Sequence, residues 1–223
     1  MKALLCIALL AVVVSVTIAD RSESLSLFTQ LKVGKQGRLF GAEDDFVSLV
    51  QSELVLAQEE YVRSSISGES QVLQELSTAA AQTSGPQCVE FVRQKAGIMM
   101  NLAGVSYGSC LKQVDEVLFE KLSAATEHAI TRDQYDQANI LSAFRGENIF
   151  VDPASIRGKM QQRMRVASKV PALSAESLGE IRKELNEVKE HFVKCMKTAQ
   201  DGLENTLQAT SKQLRLVCAN EQE

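Results

Sequence analysis

The chain has 223 residues, of which 45% are hydrophobic, 23% charged and 5% aromatic, with 3 prolines, 12 glycines and no tryptophan. That composition excludes a disordered, collagen-like or multi-span membrane protein and suits one globular unit with a substantial core. A formal net charge of −4 argues against nucleic acid as the main partner, because phosphate binding relies on a basic surface.

Lys2 precedes an apolar run from Ala3 to Ile18 and small or uncharged residues up to Ala19, the pattern of a secretory signal peptide (1–19) cleaved after Ala19. The run is shorter than the roughly 20 apolar residues of a bilayer span, and no later segment has that character, so no transmembrane span is expected. Cleavage makes the chain one charge more negative and removes Cys6. Cys88, Cys110, Cys195 and Cys218 remain, and an even number in an oxidising compartment points to disulfides rather than to a thiol catalyst or a zinc site. There is no Asn-x-Ser/Thr sequon.

Residues 20–42 carry Gly34, Gly37 and Gly41 among polar residues and read as a flexible N-terminal leader with one short helical turn around Leu25–Leu31. Residues 43–223 read as a single helical, disulfide-linked domain. Its first helix opens on Glu43, Asp44 and Asp45, where negative charge favours a helix start. Phe46, Val50, Leu54, Ala57 and Tyr61 then recur at helical spacing. Gly68 is expected to break this helix before Val72, Leu76 and Ala80 resume it, and Gly85-Pro86 separates it from the next.

The second long helix, about 87–125, has a seam of Val89, Val92, Ala96, Met99, Ala103, Ser106 and Cys110. Phe91, Ile98, Leu102 and Val105 add apolar surface on another side, which predicts a helix at the centre of its bundle. Gly97, Gly104 and Gly108 would let a neighbouring backbone approach, or would split the segment into a hairpin. Two shorter helices, about 131–145 and 153–169, follow, the latter begun by Asp152-Pro153. The last helix, about 174–218, carries Ile181, Leu185, Val188, Phe192, Cys195, Ala199, Gly202, Thr206, Ala209, Gln213 and Leu216 at alternating steps of 4 and 3, a heptad stripe.

The cysteines measure the fold. Cys88 and Cys110 are 22 residues apart and Cys195 and Cys218 are 23 apart, so along straight helices each pair spans roughly 33 to 35 Å at 1.5 Å per residue. A disulfide needs its Cα atoms within about 7 Å, so the bonds must cross between the two helices. Antiparallel packing gives Cys88–Cys218 with Cys110–Cys195; parallel packing gives Cys88–Cys195 with Cys110–Cys218. The short intervening helices favour the antiparallel, nested set. The expected fold is all-α, an elongated antiparallel helical bundle cross-linked by disulfides.

Cys88-Val89, a helical interval with glycines, Ser109-Cys110-Leu111 and a distant second cysteine pair resemble the secreted insect proteins that carry the TsetseEP domain, over roughly 87–220. The resemblance implies an extracellular, helical, disulfide-linked protein of reproductive, salivary or gut fluid, with no catalytic residues.

Little in the chain suggests catalysis. Glu187, His191 and Cys195 share a helical face at metal-ligand spacing, but an oxidised sulfur cannot serve as a thiolate ligand. No Gly-x-Ser-x-Gly or His-Glu-x-x-His motif exists, so neither enzyme activity nor a cofactor is expected. Arg157, Lys159, Arg163, Arg165 and Lys169 form a run without an acid that suits an anionic partner or, equally, the solvated side of a packed helix. Met99, Met100, Met160, Met164 and Met196 either fill core gaps or line a cavity for a small apolar ligand such as a lipid or steroid. The functional expectation is a secreted, non-enzymatic recognition protein that binds an extracellular protein through helical surfaces, with an apolar-ligand carrier as the alternative.

Overall fold

The computed structural model describes residues 21–32, 46–82, 86–127, 130–166 and 175–217. The signal peptide, Asp20 and residues 33–42 of the leader, the expected helix-opening residues Glu43, Asp44 and Asp45, Lys169 and Cys218 lie outside the described residues. The helices are α1 (21–32), α2 (Phe46–Gln82), α3 (Pro86–Ala125), α4 (Arg132–Ala138), α5 (Pro153–Arg163) and α6 (Ala175–Val217), with a 3-10 turn at Leu141–Phe144. Among the described residues there is no strand.

Three helices of 37, 40 and 43 residues build the body, each about 55 to 65 Å long at 1.5 Å per residue. Lys95 reaches Gln213, Cys110 bonds Cys195, and Lys121 pairs with Glu184, so α3 and α6 run antiparallel. α2 runs parallel to α6: Glu53 pairs with Lys189, Ser64 accepts from Gln200, and Glu75 accepts from Ser211. These three links recur every eleven residues on both helices.

The buried stripe of α3 has the same period. Val92, Ala96, Met100, Ala103, Tyr107, Leu111, Val114, Leu118 and Leu122 are all buried, at steps of 4, 4 and 3. On α6 the buried positions past Phe192 are Met196, Leu203, Leu207 and Thr210. The heptad expectation fails there: Gly202, Ala209, Gln213 and Leu216 are exposed. A straight helix drifts about 20° per heptad, whereas eleven residues make close to three turns and keep one face inward over a long span.

Two other expectations are corrected. Gly68 does not break α2. A Cβ there would stand 3.4 Å from Cδ1 of Leu207, and the glycine lies inside a continuous helix packed on α6. α3 is likewise unbroken by its glycines, but it is not surrounded: Phe91, Ile98, Leu102 and Val105 are 55–63% exposed, on the side facing away from the core.

The start of the leader is also more ordered than its composition suggests. Residues 21–32 form a helix whose Leu27, Phe28 and Leu31 are fully buried, an i, i+1, i+4 anchor. α1 lies antiparallel along α2, because Arg21 pairs with Glu69 and Lys32 with Glu59. Its other flank meets the region of α5, where Ser24 donates to the carbonyl of Ile149 and Arg157 pairs with Glu23.

The segment between α3 and α6 forms a cap on α3. Thr131 and Gln134 make a capping box that starts α4, and Asp152 caps α5, with Pro153 in its first turn. Both helices end sooner than expected, at Ala138 and Arg163. Asp115, 2% exposed on α3, accepts from Arg132, Arg145, the Tyr135 hydroxyl and the Asn139 amide. This carboxylate fixes the cap in place. Gly104 makes room for the adjoining loop: a Cβ there would fall 1.9 Å from Oδ1 of Asn148, whose amide donates to the carbonyl of Asn101.

Candidate functional site

The Cys110–Cys195 disulfide joins the middles of α3 and α6, with Cα atoms 5.8 Å apart. It is the bond that the antiparallel arrangement requires and the parallel one forbids. Cys88 is also disulfide-bonded; Cys218, its partner in the nested set, lies outside the described residues. Crossing bonds tie together segments 85 residues apart in sequence and restrict the unfolded chain by a few kcal/mol each.

Beside this disulfide, α3 and α6 border a groove of about 860 Å³ lined from Ser106 to Lys121 and from Glu184 to Ala199. At 1.5 Å per residue the groove is about 22 Å long. Its walls are Val114, Val117, Val188, Phe192 and the disulfide, and the Lys121–Glu184 ion pair, 3.1 Å, stands at one end. Ser106, Ser109, Lys194 and Thr198 line the other end. Ser106 and Thr198 donate to carbonyls one turn back in their own helices, which leaves their oxygens as acceptors for an occupant. The groove thus has an apolar strip of valines, Phe192 and the disulfide, with polar groups at both ends and Gln113, Glu187 and His191 along its middle, and its lysines and glutamates balance.

The Glu187, His191 and Cys195 face borders this groove. His191 and Glu187 are exposed, while the Cys195 sulfur is consumed by Cys110. Among the described residues no group of three His, Cys, Asp or Glu side chains could hold a metal. The methionines lie elsewhere: Met100, Met160 and Met196 are buried in the core, and Met99 and Met164 pack against it.

The basic run is divided among internal partners. Arg157 pairs with Glu23 at 2.8 Å, Lys159 pairs with Glu147, and Arg163 donates to the Ser142 hydroxyl. Arg165 is exposed, and Lys169 is outside the described residues. Lys159 and Ser155 hold the Glu147 carboxyl below its ordinary range.

Sequence reading missed the polar interior. Ser65 and Tyr107 share a buried hydrogen bond of 2.7 Å, and burial pushes the Tyr107 hydroxyl up to about 12. Burial and the Asp115 charge raise Tyr135 well above its usual value. Burial alone would raise the Asp136 carboxyl as well, but Arg145 and Arg132 outweigh it and hold it low. Arg145 and Asp115 are 30 residues apart in sequence, so no local pattern announces the pair.

The fold and groove define a disulfide-linked, all-α bundle with an open apolar cleft between its two longest helices. No family model matches the chain, and no curated protein and no solved structure matches it.

Proposed function

We propose that this is a secreted, non-enzymatic recognition protein of insect extracellular fluid, reproductive, salivary or gut, that binds an extracellular protein partner through the α3/α6 groove. Secretion is supported by the apolar N-terminal run ending at Ala19 and by disulfide formation. It is also in keeping with the absence, among the described residues, of a helix long and apolar enough to cross a membrane. The insect setting rests on the resemblance of the cysteine order to TsetseEP-domain proteins. The observation that carries the binding role is the groove itself, whose two helices are fixed relative to each other by a covalent staple and are therefore preorganised for a ligand.

The partner inserts an apolar ridge between Val117 and Phe192. Val117 is 37% exposed, so Val117→Asp places a charge in the groove without disturbing the core. A photo-crosslinker at Val117 is expected to trap one protein of defined mass from the native fluid, and Val117→Asp is expected to abolish binding of that protein. A trapped protein that still binds Val117→Asp undiminished would refute the groove as its site. The volume favours a second reading, because about 860 Å³ lies within the roughly 300–1,000 Å³ of small-molecule sites. A lipid or steroid that copurifies with the wild type and is lost from Val117→Asp would establish that reading instead.

A further inference from the structure

Beyond the groove, towards the start of α3, the same side of the bundle carries the apolar stripe Phe91, Ile98, Leu102 and Val105, 63%, 55%, 56% and 61% exposed. Two periods coexist on this one helix. Its buried face repeats every eleven residues, while Phe91, Ile98 and Val105 repeat every seven, the spacing that keeps a seam against a second supercoiling helix. Leu216, 67% exposed, stands within two residues of the level of Phe91, which lies nineteen residues before Cys110 while Leu216 lies twenty-one beyond Cys195 on the antiparallel helix. A monomer that buries its core this fully has no internal use for such a strip.

We propose that this face is a two-fold interface between two copies of the chain, with α3 packed antiparallel on α3 of the partner subunit and Ile98 on the axis. Symmetry about Ile98 then sets Phe91 against Val105 of the partner subunit, because each lies seven residues from the axis. The charges on α6 fit the same axis. Ile98 is twelve residues from Cys110, so it stands level with Leu207, twelve residues beyond Cys195 on the antiparallel helix. Asp201 and Lys212 lie six and five residues to either side of Leu207, both exposed and on the side of α6 away from the core. The two-fold therefore brings Asp201 to Lys212 of the partner subunit, twice. Within its own chain Asp201 makes a long ion pair, 3.9 Å, with Lys197, and its side chain is 55% exposed.

The area suffices for a stable pair. α3 begins at Pro86, so the overlap about Ile98 runs over residues 86–110, about 36 Å at 1.5 Å per residue. Two helices abreast are about 20 Å wide, which gives a footprint of about 700 Å² per subunit, within the standard interface class of about 1,200–2,000 Å² in total. Most of each groove lies outside the overlap, so the dimer presents two binding grooves at its far ends.

Sedimentation-equilibrium ultracentrifugation of the secreted protein tests this. The wild type is expected to sediment as a dimer at micromolar concentration. Ile98→Asp, on a side chain already exposed, is expected to weaken dimerisation at least 100-fold, with an unchanged far-UV circular dichroism spectrum. Asp201→Lys is expected to weaken it about 10-fold, and the double variant Asp201→Lys/Lys212→Asp to restore it, a rescue that no misfolding effect would produce. A wild type that stays monomeric at all concentrations, or a dimer indifferent to both the Ile98 and the charge-reversal variants, overturns the proposal. Neither result bears on binding in the groove, which Val117→Asp reads separately.

Discussion

Asp115→Ala removes the acceptor on which the cap between α3 and α6 converges. The carboxylate, 2% exposed, takes hydrogen bonds from Arg132 at 2.9 Å, Arg145 at 2.6 Å, Tyr135 at 2.9 Å and Asn139 at 2.5 Å. Breaking a buried ion pair from one side costs about 3–5 kcal/mol. Here the guanidinium groups of Arg132 and Arg145 are 32% and 38% exposed and keep their bonds to Asp136, so water and the second carboxylate absorb part of the loss. The Asn139 amide has no such recourse and loses about 1–3 kcal/mol as an unsatisfied buried group, while the Tyr135 hydroxyl loses its acceptor but keeps its hydrogen bond with the Gln51 side chain. The sum falls at the low end, about 3 kcal/mol. Urea unfolding followed by circular dichroism measures it, and hydrogen exchange should place the loosening in Ile140–Phe144. Asp115→Asn keeps an acceptor and should lose about half as much. A loss below about 1 kcal/mol in Asp115→Ala, with unchanged exchange in the cap, would refute the reasoning.

Four further outcomes follow. Phe28→Ala, at a fully buried side chain, should cost about 3–5 kcal/mol in urea unfolding; a change under 1 kcal/mol would mean that α1 does not belong to the folded core. Tyrosine ionisation followed at 295 nm should begin above pH 10 in the native protein, because Tyr61, Tyr107 and Tyr135 are all raised by burial. The stability they contribute is complete below pH 10 and disappears as pH climbs through the folded value, about 12 for Tyr107; native and urea-unfolded curves that coincide would contradict this. Asp136 and Glu147 act in the opposite sense: their contribution is complete above the ordinary carboxylate range and disappears as pH falls through their lowered values, so acid unfolding should shift upward in pH for Lys159→Ala. Gly104→Ala gains about 1 kcal/mol of helix propensity but displaces Asn148, whose amide and carbonyl bond Asn101 and Phe150. Two bonds at about 1 kcal/mol each outweigh the gain, and faster exchange at the Phe150 amide would show it.

The long helices were legible because their apolar residues repeat through ten or more turns and because Pro86 marks the start of α3, as Asp152-Pro153 marks that of the shorter α5. The crossing of Cys110 to Cys195 was legible because helix rise is a ruler that a disulfide cannot stretch. α1 was legible only as the short turn around Leu25–Leu31; its full length and its burial were not, since its three anchors Leu27, Phe28 and Leu31 sit among serines and its charged partner Glu69 is 48 residues away. The outward stripe of α3 was visible as apolar but assigned to the interior: composition states that Phe91 and Ile98 want a partner, not whether that partner is in the same chain. The seven-residue reading of α6 held through Phe192 and then drifted, because two periods differing by about a hundredth of a turn per residue separate only over several turns. The groove was hidden altogether, as its lining comes from α3 and α6, which are far apart in sequence and meet only in the fold.

Mass spectrometry of peptides from the native protein, digested without reduction and with free thiols blocked, tests the arrangement of α3 and α6 most directly. A linked pair containing Cys110 and Cys195 is the expected product, with no blocked thiol at either position. A peptide joining Cys88 to Cys110, or Cys110 and Cys195 recovered in the blocked form, would contradict it.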